Sequence, residues 1–238
     1  MGYGDDLMLT AEARRLAEKH GKPAIVGNNE WSPIWENNPF ISKTGDGPRT
    51  TSSIGRRPYL KGWDHERLYY DESFRAERGE LYFSPEENDY RASLGDVGIM
   101  VEPHIKGTFG GNKAWVWDRW IEIAKSLKVS QCLPPGKRHL PGATVIKTDS
   151  IRQALCVLSK AKLLITTDGA LHHAAAALGV PSIVIWGERT DPRILGYPEH
   201  VNLTSGDKFC GMMAPCSHCV KAMKAITVEI VLEAAGRA

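Results

Sequence analysis

The stretch KLLITTDGALHHAAAALGVPSIVIW spans residues 162–186 and combines three segments with different patterns. The apolar run 162–167 is typical of a buried strand, and the alanine-rich run 170–178 has the composition of a helix. A second apolar run follows at 182–186, after a connection that contains glycine and proline. A strand, a helix and a strand with short connections predict a parallel sheet whose faces are covered by helices.

The same alternation extends through the second half of the chain. We predict strands at 98–102, 129–133 and 143–147, and helices at 115–127 and 151–160, the latter with Ser150 as its N-cap. The fold class is therefore α/β with a parallel sheet. Because ligands of such sheets bind beyond the carboxyl ends of the strands, three loops are candidates for a site: 103–114, 167–170 and 187–193.

The first half is less regular. We predict a helix at 7–20, a strand at 24–26, a strand at 80–83 and a helix at 84–93. The pattern shows no strand ahead of the 2–6 turn, so the chain starts late, borrows a strand from another segment or has a truncated sheet edge. A boundary near Leu94 divides the chain into domains 1–94 and 95–238.

The composition argues against several classes of protein. The 30 Lys and Arg residues against 28 Asp and Glu residues give a formal charge of +2, so we expect no nucleic-acid partner. The N-terminus resembles no secretory signal. The longest apolar run, 174–186, is interrupted and is shorter than the roughly 20 residues of a membrane-spanning helix. We therefore expect a cytoplasmic protein.

Asp168, Gly169 and Ala170 lie where the strand at 162–167 gives way to a helix. The free N–H groups and the dipole of a helix start favour an anion such as phosphate, and the small residues allow its close approach. Alternatively, Asp168 is a helix N-cap and the small residues only permit packing. Spacing alone leaves both interpretations open.

The loop after the strand at 98–102 collects three potential cations, His104, Lys106 and Lys113, among several flexible positions. Such a loop can close over a diphosphate, although it is also typical of a surface connection. Tryptophans follow at 115, 117 and 120, and at least two of them are expected to be core residues. The basic residues Arg49, Arg56 and Arg57 are interpreted as a solvated loop rather than a site for an anionic acceptor.

The cysteines are odd in number and the chain shows no export signal, so a disulfide framework is not expected. Cys210, Cys216, His218 and Cys219 have the residue types of a zinc site. Because structural zinc usually joins two separated pairs, we favour buried or loop thiols and no metal, with the zinc set as the alternative.

Together these segments resemble glycosyltransferase family 9, the heptosyltransferases. The resemblance is carried by Gly4-Asp5, Pro103 through Lys113-Ala114-Trp115, Asp168 through His173, Ala176 through Pro181 and Ile226 through Val231. It implies a GT-B-like fold, in which an abbreviated N-terminal domain faces a Rossmann-like nucleotide-sugar domain. It also implies an inverting transfer that needs no metal and no cofactor.

The resemblance assigns roles to individual residues. Asp5 becomes the base that deprotonates the acceptor, with Asp6 as a bystander, and Lys113 neutralises charge that develops on the diphosphate. The implied donor-binding set is His104, Lys106, Thr108, Lys113, Asp168, Gly169, Ala170, Leu171 and His173. Among these, the backbone at 169–171 holds phosphate oxygens, and His173 rather than His172 matches the histidine of the family.

The implied partners are a nucleoside-diphosphate sugar, with ADP-heptose as one candidate, and a glycan or lipid-linked acceptor. A lipid-linked acceptor places the protein at the inner face of the membrane. A homodimer is one way to complete the short first domain. The alternatives are a sugar-nucleotide epimerase or hydrolase on the same fold, and a nucleotide-sugar binding module or zinc-stabilised interaction domain without activity.

Overall fold

The computed structural model of the protein describes residues 2–27, 30–51, 57–107 and 110–237. Its α-helices are α1 (Tyr3–His20), α2 (Pro85–Ser93), α3 (Trp117–Ser126), α4 (Ile151–Leu158), α5 (Ala170–Leu178), α6 (Pro192–Leu195), α7 (Ser217–Ala225) and α8 (Val228–Ala235). Short 3-10 turns lie at Pro33–Trp35 and Gly111–Lys113.

The strands of the first half are short. They are β1 (Ala24–Val26), β2 (Ile41–Ser42), β3 (Arg49–Thr50), β4 (Leu60–Trp63) and β5 (Leu68–Tyr70). The strands of the second half are β6 (Ile99–Glu102), β7 (Val129–Leu133), β8 (Thr144–Lys147), β9 (Leu163–Thr167), β10 (Ser182–Ile185) and β11 (Val201–Leu203).

The second half forms a six-stranded sheet in the order β11-β10-β9-β6-β7-β8, and every neighbouring pair is parallel. The strands and helices predicted for 98–186 are all present, with ends that shift by no more than two residues. The α/β class with a parallel sheet is therefore confirmed. The sequence patterns did not indicate α6, β11 or α7; α6 and β11 have only four and three residues.

The first half differs more from its prediction. The strand expected at 80–83 is wrong, because this segment has no regular secondary structure and joins no sheet, although Leu81 and Phe83 pack on the core. The predicted helices and β1 are present, and α1 begins already at Tyr3, so that Asp5 lies in its first turn. β1 is the middle strand of a parallel sheet in the order β2-β1-β3, and β4 pairs with β5 as an antiparallel hairpin.

Two groups of buried side chains cover the two faces of the large sheet. On one face, α1, α4 and α5 pack together over β6, β9 and the neighbouring strands; the buried residues include Leu7, Leu9, Ala13, Met100, Leu155, Leu158, Leu164, Ala174 and Ala175. On the other face, α3 and α8 supply Trp120, Ile123 and Val231 against Val101 and Ile165. The first helix of the chain therefore shares a core with the second half, and the boundary near Leu94 stays a prediction.

Trp115 and Trp120 are buried in an edge-to-face contact with ring centroids 5.0 Å apart, so both are core residues as expected. Trp117 is partly buried, and the guanidinium of Arg138 lies 4.2 Å from the centre of its ring. In the described part of the chain, no helix is both long enough and apolar enough to cross a membrane.

A partly buried ion pair joins α2 to α4. Nε of Arg152 donates to Oε1 of Glu87 at 2.7 Å, and one terminal nitrogen donates to Oε2 at 2.5 Å. The same guanidinium donates to the carbonyls of Tyr82 and Pro33, at 2.6 and 3.3 Å. Hydrogen bonding to Arg152 holds the pKa of Glu87 below its ordinary value. One arginine of α4 thus holds both the irregular 80–84 segment and the turn at Pro33–Trp35.

We predict that Arg152→Ala lowers the free energy of unfolding by about 3 kcal/mol, because Glu87 then loses its partner in a shielded position. The pair stabilises the fold above the ordinary pKa of a glutamate, and its contribution is lost as the pH falls through the lowered pKa of Glu87. Urea denaturation at neutral and acidic pH measures both effects. Lys162→Ala, which breaks the exposed pair with Asp96, should cost under about 1 kcal/mol. Equal losses in the two variants would contradict this account.

Candidate functional site

The six-stranded sheet has its topological switch point between β6 and β9. From β6 the chain continues through β7 to β8 on one side, and from β9 through β10 to β11 on the other. Glu102 at the end of β6 lies opposite Thr166 near the end of β9. Ligands of open α/β sheets bind at such a point, beyond the carboxyl ends of the strands. The predicted loops 103–114 and 167–170 both leave the sheet there.

An ion pair connects these two loops. Nζ of Lys113 lies 2.5 Å from Oδ2 of Asp168, whose side chain is 6% exposed. Burial opposes the ionisation of Asp168, but the charge and hydrogen bond of Lys113 act together with the charges of the neighbouring basic residues, and the pKa of Asp168 is lowered. The suggestion that Asp168 is the N-cap of α5 is wrong, because Gly169 occupies that position. Asp168 is thus a buried anion that holds a lysine at the start of α5.

The side chain of His172 accepts a hydrogen bond from the first backbone amide of this turn. The N–H of Gly169 donates to Nδ1 of His172 at 3.1 Å, so the proton of the neutral ring lies on Nε2, which donates to the carbonyl of Leu195 at 3.1 Å. Burial lowers the pKa of His172 and keeps the ring neutral. Of the four amides that a helix start leaves without intrahelical partners, those of Ala170, Leu171 and His172 face no such side-chain bond among the described residues and suit an anion.

His173 faces the first helix of the chain. Its Nδ1 lies 2.7 Å from the hydroxyl of Tyr197, and burial lowers its pKa well below the ordinary value. On its other side is Gly4: a Cβ atom added to Gly4 would lie 2.8 Å from Cδ2 of His173 and 3.8 Å from Cα of Ala170. The first turn of α1 therefore rests directly on the first turn of α5.

Asp5 follows Gly4 and is held by two side chains. Nη2 of Arg57 lies 2.7 Å from Oδ2 of Asp5, and the hydroxyl of Tyr59 donates to Oδ1 at 2.5 Å. Burial and the charge of Asp5 raise the pKa of Tyr59 well above its ordinary value, so the hydroxyl keeps its proton. Arg57 is therefore part of a site rather than of a solvated loop, while Arg56 lies outside the described residues.

A cavity of about 320 Å³ opens beside Asp5. Its lining combines aromatic and charged side chains, among them Met8, Glu12, Arg15, Tyr59, Phe74 and Glu77. Asp6, in contrast, is only 5% exposed and belongs to the interior. Of the two acidic residues in the first turn of α1, Asp5 is the one that reaches a space for a ligand.

Tyr70 contacts both Tyr59, which binds Asp5, and Thr190 of the loop 187–193. Its ring stacks on that of Tyr59 with centroids 6.2 Å apart, and its hydroxyl is 2.8 Å from Oγ1 of Thr190. Burial raises the pKa of Tyr70, and the charges of Arg189, Asp168 and Arg57 also act on it. The sequence patterns singled out the loop 187–193 that carries Arg189 and Thr190, but no residue within it, and they gave no sign of Tyr70.

The remaining predicted donor residues are placed differently. Nδ1 of His104 lies 3.0 Å from Oε1 of Glu102, and Nε2 lies 2.9 Å from the carbonyl of Arg138. Burial opposes protonation of His104, but the bond to Glu102 raises its pKa. Lys106 is exposed, and Thr108 lies outside the described residues. His104 is thus held by Glu102 and Arg138, and none of its described contacts is with the Lys113–Asp168 pair.

The four residues of the zinc alternative also converge. Ligand atoms from Cys210, Cys216, His218 and Cys219 all lie within 4.8 Å of one another. Cys132 and Cys156 are buried in the core, as expected.

Comparison with known proteins identifies the family. Residues 105–227 match the sequence model of glycosyltransferase family 9 (heptosyltransferase), and this segment is more than half of the chain. It contains Lys113, Asp168 and the cysteine cluster. The chain therefore belongs to glycosyltransferase family 9. No curated protein sequence gives a match.

Solved structures share the fold. The match to the glycosyl transferase family 9 protein from Veillonella parvula DSM 2008 covers 100% of this chain and 94% of that protein, with 14% identity and a TM-score of 0.69. The match to the iron-containing dodecameric glycosyltransferase TibC from enterotoxigenic E. coli H10407 covers 100% of this chain and 73% of that protein, with 14% identity and a TM-score of 0.64. The α/β, GT-B-like fold expected from the resemblance is thus confirmed.

A third structure is of a longer protein. E. coli ADP-heptose lps heptosyltransferase II is 20% identical, with a TM-score of 0.47. The match covers 65% of this chain and 51% of that protein, so this chain spans about half its length.

We predict that Gly4→Ala destabilises the protein. Alanine normally favours a helix over glycine by about 1 kcal/mol, but here the added methyl group meets the ring of His173, and overpacking of this kind costs about 1–3 kcal/mol. Urea denaturation measures the change. The control is Gly95→Ala, whose added Cβ has no atom within 4 Å and should be close to neutral. Stabilisation by Gly4→Ala would show that α1 does not rest on α5.

Proposed function

We propose that this chain is an inverting, metal-independent glycosyltransferase that moves a sugar from a nucleoside diphosphate to a glycan or lipid-linked acceptor. The observation that carries the proposal is the contact between the first turns of α1 and α5 at Gly4 and His173. This contact places Asp5, which lines the cavity of about 320 Å³, near the start of α5, where the Lys113–Asp168 ion pair lies. Family membership supports sugar transfer as the class of reaction.

The donor side is suited to a diphosphate. Lys113 pairs with Asp168, and the positive charge of the 9% exposed Arg189 also acts on that carboxylate. The first-turn amides of α5 add partial positive charge. As the sugar leaves, negative charge grows on the diphosphate, and cations already in position stabilise it without reorganisation. Asp168 keeps Lys113 in that position before the donor arrives.

The acceptor side is suited to a hydroxyl. Arg57 and Tyr59 each use one oxygen of Asp5, and each carboxylate oxygen retains a further lone pair. Asp5 accepts the proton of the acceptor hydroxyl while the oxygen of the acceptor forms a bond to the anomeric carbon. The bond from that carbon to the diphosphate breaks on the opposite face, so the configuration inverts.

An ADP-heptose is the first donor to test. TibC has been solved in complex with ADP-D-beta-D-heptose, and its fold matches this chain with a TM-score of 0.61 at 14% identity. A nucleotide-sugar binding module shares the donor side of this proposal but needs no base. The two functions are therefore separated by the role of Asp5.

We predict that Asp5→Asn binds the donor with an affinity within about threefold of the wild type but loses at least about a hundredfold in turnover, the usual contribution of a general base. Calorimetry and a transfer assay measure the two quantities. Glu18→Gln removes an exposed carboxylate from the same helix and should change neither. Full turnover in Asp5→Asn would remove Asp5 from the reaction, and donor binding without transfer in the wild type would favour the binding module.

We predict that Lys113→Ala weakens nucleoside-diphosphate binding by about 10-fold to 100-fold, because it removes a charge-assisted hydrogen bond and leaves Asp168 as an unpaired anion at the same place. Calorimetric titration with ADP and other nucleoside diphosphates measures the change. Lys125→Ala removes an exposed lysine of α3 and is the control for net charge. Unchanged affinity in Lys113→Ala would place the diphosphate elsewhere.

A further inference from the structure

Three cysteines and one histidine lie together near the start of α7. The Sγ atom of Cys210 is 3.2 Å from that of Cys219 and 3.9 Å from that of Cys216. A ligand atom of His218 lies within 4.8 Å of all three sulfurs. Around a tetrahedral ion with metal–sulfur bonds of about 2.3 Å, the sulfurs stand about 3.8 Å apart. The four side chains are thus already at nearly the spacing of a tetrahedral metal site.

His218 has the arrangement of a metal-binding histidine. Its Nε2 lies 2.6 Å from Oε2 of Glu188, so the carboxylate fixes the proton on that nitrogen. Its Nδ1 is shielded from solvent and has no hydrogen-bond partner among the described residues. A carboxylate behind one ring nitrogen and a bare lone pair on the other are what an imidazole needs to bind a cation.

The side chains of a second group of potential metal ligands already have ion-pair or hydrogen-bond partners. Asp168, His172 and His173 also lie within 4.8 Å of one another. However, Asp168 holds Lys113, both ring nitrogens of His172 are bonded to backbone groups, and Nδ1 of His173 is bonded to Tyr197. The cysteine cluster is therefore the better candidate for a metal.

The segment that carries the cysteines is attached to the turn that carries Lys113. Nδ2 of Asn112 donates to the carbonyls of Met212 and Ala214 at 2.8 and 2.6 Å, and its Oδ1 accepts from the N–H of Cys216 at 2.8 Å. Asn112 is fully buried and directly precedes Lys113. A Cβ atom on Gly111 would lie 2.5 Å from Cγ of Pro215, so the two segments are in tight contact.

We infer that Cys210, Cys216, Cys219 and Nδ1 of His218 bind one thiolate-preferring transition-metal ion, zinc or iron, and that this ion holds segment 210–219 against the Lys113 turn. Thiolate and imidazole ligands suit both metals. The ion is structural: it supports a donor-binding lysine through Asn112 and takes no part in the transfer itself. The structure thus favours the arrangement that the sequence offered only as the alternative to free thiols.

The test is metal analysis of the full chain, purified without chelator from medium that contains both zinc and iron. We expect about one ion per chain in the wild type and in Cys156→Ala, a thiol variant outside the cluster, and almost none in the double variant Cys216→Ser/Cys219→Ser. The identity of the metal distinguishes the zinc and iron forms. Glu188→Gln should weaken metal affinity by about 10-fold to 100-fold, because the supporting carboxylate is lost.

A second measurement covers the case in which the double variant fails to fold. Cobalt(II) added to metal-free wild-type protein should give thiolate-to-cobalt absorption that saturates at one equivalent. The inference is overturned if folded wild type binds neither metal after reconstitution, if the ion persists in a folded double variant, or if Cys210 and Cys219 form a disulfide under reducing conditions. None of these outcomes depends on nucleotide binding, so failure here is separate from failure of the proposed function.

Amide hydrogen exchange tests whether the ion supports the Lys113 turn. Metal removal should accelerate amide hydrogen exchange in 210–219 and also in 110–116, while exchange in α4 stays unchanged. Acceleration confined to 210–219 would show that the ion does not support the Lys113 turn.

Discussion

The contact of Gly4 with His173 is the constraint on which the site depends. It is possible only because Gly4 lacks a side chain, and it brings the first turns of α1 and α5 together. Apolar burial maintains it: Leu7, Leu9 and Ala13 of α1 share a core with Ala174 and Ala175 of α5. Each fully buried leucine side chain contributes about 1.5–3 kcal/mol. The relative position of Asp5 and the Lys113–Asp168 pair is therefore set by the core beneath them, and not by polar contacts alone.

Electrostatics then separates the two sides of the site. Asp5 pairs with Arg57, whereas Asp168 pairs with Lys113 and is also acted on by the charge of Arg189. One side thus presents an oriented carboxylate beside a cavity, and the other presents basic side chains at a helix start. His172 and His173 stay neutral because they are buried, so neither competes for the anion. This division matches a reaction in which a proton is removed on one side while negative charge grows on the other.

The sequence predicted five of the six strands of the large sheet, because short apolar segments alternate there with helical ones, whereas β11 has only three residues and was not indicated. The first half was harder, since β2 and β3 have two residues each and carry no period. At the candidate site, the motifs singled out Asp5, Lys113 and Asp168, but they did not single out the residues that contact them. Arg57 and Tyr59 reach Asp5 from more than 50 positions away, and such tertiary pairings leave no local signal in one sequence. The same limit applies to the metal-ligand geometry of Cys210 and His218, whose residue types were visible but whose convergence was not.

A crystal structure of the chain with a bound nucleoside diphosphate would test the position of the donor site. We predict phosphate oxygens within about 3 Å of Nζ of Lys113 and of the first-turn amides of α5, with Asp5 facing the vacated sugar position. A diphosphate bound elsewhere would contradict this prediction, for example in the open cavity of about 610 Å³ lined by Trp31 and Lys43.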